Sequence, residues 1–219
     1  MVTLEEVRQS AIVDAFIRKG NEHLGVLGYT DHGYDHVTLV AERAYTILKK
    51  LGVSEREAEL AAIAGYLHDI GNVINRVGHS QSGALMSLHI LRAMGMPAEE
   101  ISVVAAAIGN HDEGSGHPIN RVAAALILAD KSHVHRSRVR NPDISTFDIH
   151  DRVNYAVEEA SLRVNEENMT ITMDLVIDIN ICPVMEYFEI FLSRMVMCRR
   201  AADFLGCEFE LIINGAKLL

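Results

Sequence analysis

This sequence predicts a mainly helical body carrying a small α+β appendage at its C-terminal end, on three observations. Apolar residues recur at helical spacing through most of residues 4–165. From Met169 the period drops to two, in the alternating run Met-Thr-Ile-Thr-Met-Asp-Leu-Val-Ile-Asp-Ile. The helical period returns over Pro183–Leu205, and the alternation resumes in Cys207-Glu-Phe-Glu-Leu-Ile-Ile213. The polar stretch Asn165-Glu-Glu-Asn168 is the linker candidate. It divides the chain into a helical unit, 1–165, and an α+β unit, 166–219, packed on the first or on a second subunit.

The elements follow in order. Leu4, Val7, Ile12, Ala15 and Phe16 make a helical stripe over 4–19, and Gly20, Gly25, Gly28 and Gly33 make 20–35 a loop. Val37, Val40, Ala41, Ala44, Ile47, Leu48 and Leu51 form one face of a helix over 35–51. Ser54-Glu-Arg-Glu57 is a capping box that opens a third helix, ending near Gly71. A fourth fits 80–94 and stops at Gly95. Pro97 followed by Glu99 and Glu100 starts a fifth, which runs to about Gly109. The Gly-rich loop 112–118 comes next, then a helix from Asn120 to about 133 and another over 147–165.

Composition narrows the function. Apolar residues make up 49% of the 219 and charged residues 23%, as in a globular protein with a sizeable core. A formal net charge of -10, no Trp and 5% aromatic residues disfavour nucleic-acid polymers and anionic membranes as partners. Cys182, Cys198 and Cys207 form no C-x-x-C pair and read as free thiols in a reducing compartment. Charged residues interrupt the N-terminal segment and no apolar stretch is long enough for a membrane span, so a cytoplasmic location is expected.

Chemistry concentrates where three apolar runs end. Ala61-Ala-Ile-Ala-Gly-Tyr-Leu runs into His68-Asp69, Val103-Val-Ala-Ala-Ala-Ile-Gly-Asn into His111, and Val122-Ala-Ala-Ala-Leu-Ile-Leu-Ala into Asp130. A carboxylate among apolar residues is costly unless it meets a cation or strong donors, so convergence on a metal is expected. With His36 and His79 the candidate ligands are His36, His68, Asp69, His79, His111 and Asp130. Imidazole and carboxylate together suit iron, manganese, nickel, cobalt or zinc. Six such groups suffice for two divalent ions if one carboxylate bridges. His23, His32, His89 and His150 read as ordinary structural histidines.

The ordered set His36, His68-Asp69 and Asp130, spread over successive helices, resembles the HD-domain superfamily of metal-dependent phosphohydrolases over roughly residues 30–140. His79 in Gly-His-Ser-Gln-Ser-Gly-Ala and His111 in Ile-Gly-Asn-His resemble the extra histidines of its dinuclear branch. The resemblance implies an HD-type helical bundle. It implies one metal on His36, His68, Asp69 and Asp130, a second on His79 and His111 with Asp69 bridging, and a metal-bound hydroxide that attacks phosphorus. The segment His79–Asp130 resembles small dinuclear members that cleave nucleotide phosphoanhydrides. The di-iron oxygenases of the same superfamily share the six-residue set, and a non-catalytic nucleotide sensor is the third reading.

Substrate-side candidates lie close by in sequence. Lys131-Ser-His-Val-His-Arg136-Ser-Arg-Val-Arg140 is the densest basic segment. Lys131 and Arg136, with Arg76 from the loop between two candidate ligands, are expected to hold substrate phosphate. Asp69, Lys131 and Glu113 are the catalytic candidates, with Glu113 or His117 handling protons from a mobile 112–118 loop. The helix over Pro183–Leu205 carries Met185, Phe188, Phe191, Leu192, Met195 and Val196. This apolar surface beside two strands suggests a homodimer.

Overall fold

The computed structural model describes residues 1–219 as nine α-helices and a four-stranded sheet. The helices are α1 (Leu4–Arg8), α2 (Ala11–Val26), α3 (Tyr34–Lys50), α4 (Glu55–Leu67), α5 (His79–Ala93), α6 (Ala98–Gly109), α7 (Arg121–Lys131), α8 (Ile149–Ala156) and α9 (Val184–Phe204). The strands are β1 (Val157–Asn165), β2 (Thr170–Ile177), β3 (Glu208–Ile213) and β4 (Ala216–Lys217). No helix is long and apolar enough to cross a membrane.

Two helices form the centre, and both are buried on nearly every side. In α4 every residue from Leu60 to Leu67 is buried, and in α7 every residue from Val122 to Ala129. A helix apolar all round belongs inside a protein. Alanine at 61, 62 and 64 and at 123–125 lets neighbouring backbones come close. Gly65 carries this furthest, because a Cβ there would lie 2.8 Å from the Ala41 Cα of α3. α3 packs on α4 and α7, and α6 on α4, α5 and α7.

The sheet has the order β1-β2-β3-β4. β1 and β2 are an antiparallel hairpin, and β4 is antiparallel to β3. β2 and β3 are parallel, Thr170 facing Glu208 and Leu175 facing Ile213, with α9 as the crossover between them. α9 packs on β2, β3, α7 and α8. Ile171, Met173, Leu175, Phe209, Leu211 and Ile213 join the same continuous apolar cluster as α4 and α7.

Three expectations need correction. The stripe over 4–19 is two helices, broken at Gln9 and Ser10, and the second runs on through the expected 20–35 loop to Val26. Gly20 sits inside it because α2 crosses the turn 70–73 closely, and a Cβ there would stand 3.2 Å from the Val73 nitrogen. The expected third helix stops at Leu67, and a 3₁₀ turn over Ile70–Val73 follows the His-Asp doublet. The expected helix 147–165 is α8 only to Ala156, then β1. β1 reads as helical in isolation because its outer face is largely exposed and carries Glu158, Glu159 and Arg163, so alternation is weak. A boundary at 165/166 therefore cuts through the β1–β2 hairpin.

Arg43 ties the helical body to the sheet, donating to the Ser132 hydroxyl (2.8 Å) and to the Ala160 carbonyl of β1 (2.7 Å). Hydrogen bonds from charged donors contribute about 1.5–3 kcal/mol each before the other groups re-solvate. Arg43→Ala is expected to lower the unfolding free energy in urea by about 1–3 kcal/mol. An unchanged midpoint would mean that water replaces both contacts at no cost.

Candidate metal centre

Five helix ends meet at one point. His36 lies in the first turn of α3 and His79 at the first position of α5. His68-Asp69, His111 and Asp130 lie at or just beyond the C-terminal ends of α4, α6 and α7. Three helix C-termini direct their carbonyl dipoles inward, and that polarity favours a cation. All four histidines and Asp69 are buried, and Asp130 nearly so.

The imidazoles are oriented by their outer nitrogens. Nδ1 of His68 donates to the Gly65 carbonyl (2.7 Å), that of His79 to the Arg76 carbonyl (3.0 Å), and that of His111 to the Ile108 carbonyl (2.6 Å). A carbonyl can only accept, so these Nδ1 atoms carry the hydrogen and each ring turns its Nε2 inward, the atom that a neutral imidazole offers to a metal. Nδ1 of His36 meets Nδ1 of His133 at 2.9 Å, and the two rings stack.

The inward atoms form two groups that share Asp69. His36 Nε2 and His68 Nε2 are 3.2 Å apart. Asp69 Oδ2 lies 3.5 and 3.3 Å from them, and Asp130 Oδ1 3.3 and 3.6 Å. On the other side His79 Nε2 and His111 Nε2 are 3.1 Å apart, and Asp69 Oδ1 is 3.5 Å from His79. Two lone-pair nitrogens in contact repel unless a proton or a metal lies between them. Asp69 Oδ2 is buried with no hydrogen-bond partner. This donor set fits divalent metal ions: His36, His68 and Asp130 make one group able to hold an ion, and His68, Asp69 and His111 another.

The protein alone already opposes these charges. Burial disfavours a proton on His68, but the Asp69 and Asp130 carboxylates outweigh it and raise its pKa to about 10. Burial pushes His36, His79 and His111 down, toward the neutral form that coordinates metal. Burial would raise Asp130, yet Lys131 and the facing histidines hold it well below the ordinary carboxylate range.

Around this cluster stand cations. Lys131 Nζ lies 2.8 Å from Asp130 Oδ2 and 3.3 Å from Glu113 Oε1. Arg194 of α9 reaches the same Glu113 oxygen at 2.5 Å. Arg76 Nη1 is 3.8 Å from Asp69 Oδ1 and 3.4 Å from His79 Nε2. Burial would raise the Glu113 carboxyl, but Lys131 and Arg194 bring it down to about 2. A group so firmly ionised is a poor proton donor near neutral pH. Its 112–118 segment also turns tightly, with the Gly116 amide donating to the Asp112 carbonyl at 2.8 Å.

Of the residues singled out from sequence, the structure brings together His36, His68, Asp69, His79, His111, Asp130, Lys131, Glu113 and Arg76. Arg136 is not among them: it pairs with Glu158 (2.9 Å) and lies over the Tyr155 ring. Five further residues join the site, one of them His32, which lines the same small cavity and packs edge-on to the His36 ring rather than serving only as a structural histidine. Asn72 donates to Asp69 Oδ1 (2.8 Å), and His133 supports His36. Arg138 is buried and donates to the carbonyls of His133 and Asp31, with its Nη2 unpartnered. Arg194 comes from 63 positions beyond Lys131. Arg138 lay within the basic run 131–140, but nothing in sequence distinguished it from Arg136. Arg194 carried no local signal, since it sits among the apolar residues of α9.

The family model "HD domain" matches residues 33–135. An uncharacterized protein of Methanocaldococcus jannaschii is 28% identical over 191 residues, covering 74% of this chain and 71% of the relative. The crystal structure of a predicted HD superfamily hydrolase from an uncultured Thermotogales bacterium is similar at 23% identity, with a TM-score of 0.46 over 57% of this chain and 67% of the other. The matched segment 33–135 contains all six clustered histidines and aspartates, and over that segment the chain is similar to the HD-domain family.

Proposed function

We propose that this protein hydrolyses a phosphoester or phosphoanhydride bond of a small phosphate compound, a nucleotide being the first to test, at a site for two divalent transition-metal ions. The observation that carries this reading is a small cavity in which Asp69, His79, His111 and Asp130 share the lining with Arg76, Lys131, Arg138 and Arg194, and no apolar residue takes part. Guanidinium and ammonium groups beside a divalent-metal cluster suit a phosphate anion.

Metal ions bound there supply positive charge and a water of lowered pKa, the two requirements of phosphoryl transfer to water. His36, His68, Asp69 and Asp130 would hold one ion, and His79, His111 and the second oxygen of Asp69 the other. Lys131 fixes Asp130 through its ammonium group and offers the phosphate a positive charge. Glu113 keeps Lys131 and Arg194 in place. Arg76, Arg138 and Arg194 face the phosphate oxygens.

The test is metal analysis of protein purified without chelator, followed by phosphate release from a panel of nucleotides and simple phosphate esters. About two ions per chain and metal-dependent phosphate release, lost in His68→Ala, are the expected results. Oxygen consumption without phosphate release would instead favour the di-iron oxygenase reading. Arg194→Ala is expected to raise KM by about 10–100-fold while the metal stays bound. Loss of the metal in that variant would move Arg194 from substrate binding to support of the cluster.

A further inference from the structure

A second cavity, of about 400 Å³, opens beside the metal centre and shares Arg76, Arg138, Arg194 and His32 with it. Its opposite wall is α8 and the residue before it. Asp148, Asp151 and Asn154 succeed one another at three-residue intervals along that wall.

The two walls carry opposite chemistry without neutralising each other. None of the three arginines forms an ion pair with Asp148 or Asp151; Arg194 is held by Glu113, and Arg76 lies beside Asp69. Arg138 is buried with Nη2 unpartnered. On the α8 side the acceptors are in surplus. Asp148 uses one oxygen to cap α8 at the Asp151 amide (2.8 Å). Asp151 receives only a long contact from Asn141 (3.4 Å). Asn154 directs its side-chain N–H to the His150 carbonyl (2.8 Å), and its Oδ1 accepts nothing. Leu27, Tyr29 and Phe191 provide the apolar lining. Such a lining suits an elongated ligand with an anion at one end and hydrogen-bond donors at the other.

We propose that this cavity seats the non-phosphate part of the substrate, that this part bears several hydroxyl or amino donors, and that Asp148, Asp151 and Asn154 read them. The inference rests on the phosphohydrolase reading for the placement of the phosphate. It selects, within phosphate compounds, those with a polyhydroxylated or amino-bearing skeleton over plain aryl or alkyl esters. Unmatched acceptors penalise a ligand without donors, because their water is displaced and not replaced.

Three hydrolysis-resistant phosphonates separate the possibilities on the full-length, metal-loaded protein: the analogues of phenyl phosphate, ribose 5-phosphate and adenosine 5′-monophosphate. Calorimetry is expected to give the two donor-bearing probes a Kd about tenfold or more below that of the phenyl probe. A ribose analogue equal to the adenosine analogue would assign the acceptors to hydroxyls, and a further gain for adenosine would assign part of them to the amino-bearing base. Asp151→Ala should erase the preference, and Asp151→Asn, which keeps an acceptor, should restore most of it. Equal Kd values for all three probes in the wild type, or a preference that survives Asp151→Ala, would overturn the proposal. The hydrolase reading fails separately, if no phosphate ester is turned over with any metal while the binding preference stands.

Discussion

Asp69→Asn is expected to produce a folded protein that retains at most one metal ion and loses turnover by on the order of 10³-fold or more. The two oxygens of Asp69 face different histidines, Oδ2 toward His36 and His68 and Oδ1 toward His79. A neutral amide keeps the shape but removes the charge, and turns an N–H donor toward one of the two groups. It also leaves the His68 ring facing one carboxylate fewer. Elemental analysis beside a thermal melt reads both effects. A variant with the wild-type metal content would show that Asp69 is not the shared ligand, and the two-ion site would fall with it.

Gly71→Ala is expected to cost about 3 kcal/mol or more in urea denaturation and to strip metal from the His79 side of the cluster. A Cβ at this position would stand 2.0 Å from the His79 carbonyl oxygen, 2.6 Å from the Gly83 nitrogen and 2.6 Å from the Ser82 Oγ. Two of those three are backbone atoms, so no side-chain rotation makes room. The start of α5 has to move, and His79 moves with it. The space is scarce because the turn after His68-Asp69 lies directly against the first two turns of α5. Gly95→Ala is the control, since its Cβ meets nothing within 4 Å and the only penalty is its positive φ of 85°, about 1–2 kcal/mol. Equal losses in the two variants would mean that the contact at Gly71 relaxes freely.

Most of the helical body was legible because its signals are local. The α4 cap at Ser54, the α7 cap at Asn120 and the break at Gly95 stand where the sequence predicts them. The doublet His68-Asp69 was conspicuous because ionisable groups that end a buried run require a partner. The misread segments are those where tertiary contact outweighed local preference. Gly20 and Gly25 look like loop punctuation, but in α2 they permit close passage against the 70–73 turn and the Arg140 side chain. β1 takes its strand form from pairing with β2 over eight residue pairs, which its own pattern does not announce.

The chain's order of residues by itself determined the helical class, the C-terminal strand–helix–strand and the six histidines and aspartates that converge, because burial pattern and side-chain chemistry are carried by neighbours in sequence. Only the tertiary structure decided which cations serve the site. Arg136 and Arg138 are two positions apart, yet one faces Glu158 at the surface and the other enters the site. Arg194 reaches it from α9, across the packing of the α+β unit on α7. A charged side chain records its sign in the sequence, but the direction in which it points is set by the packing of elements distant along the chain.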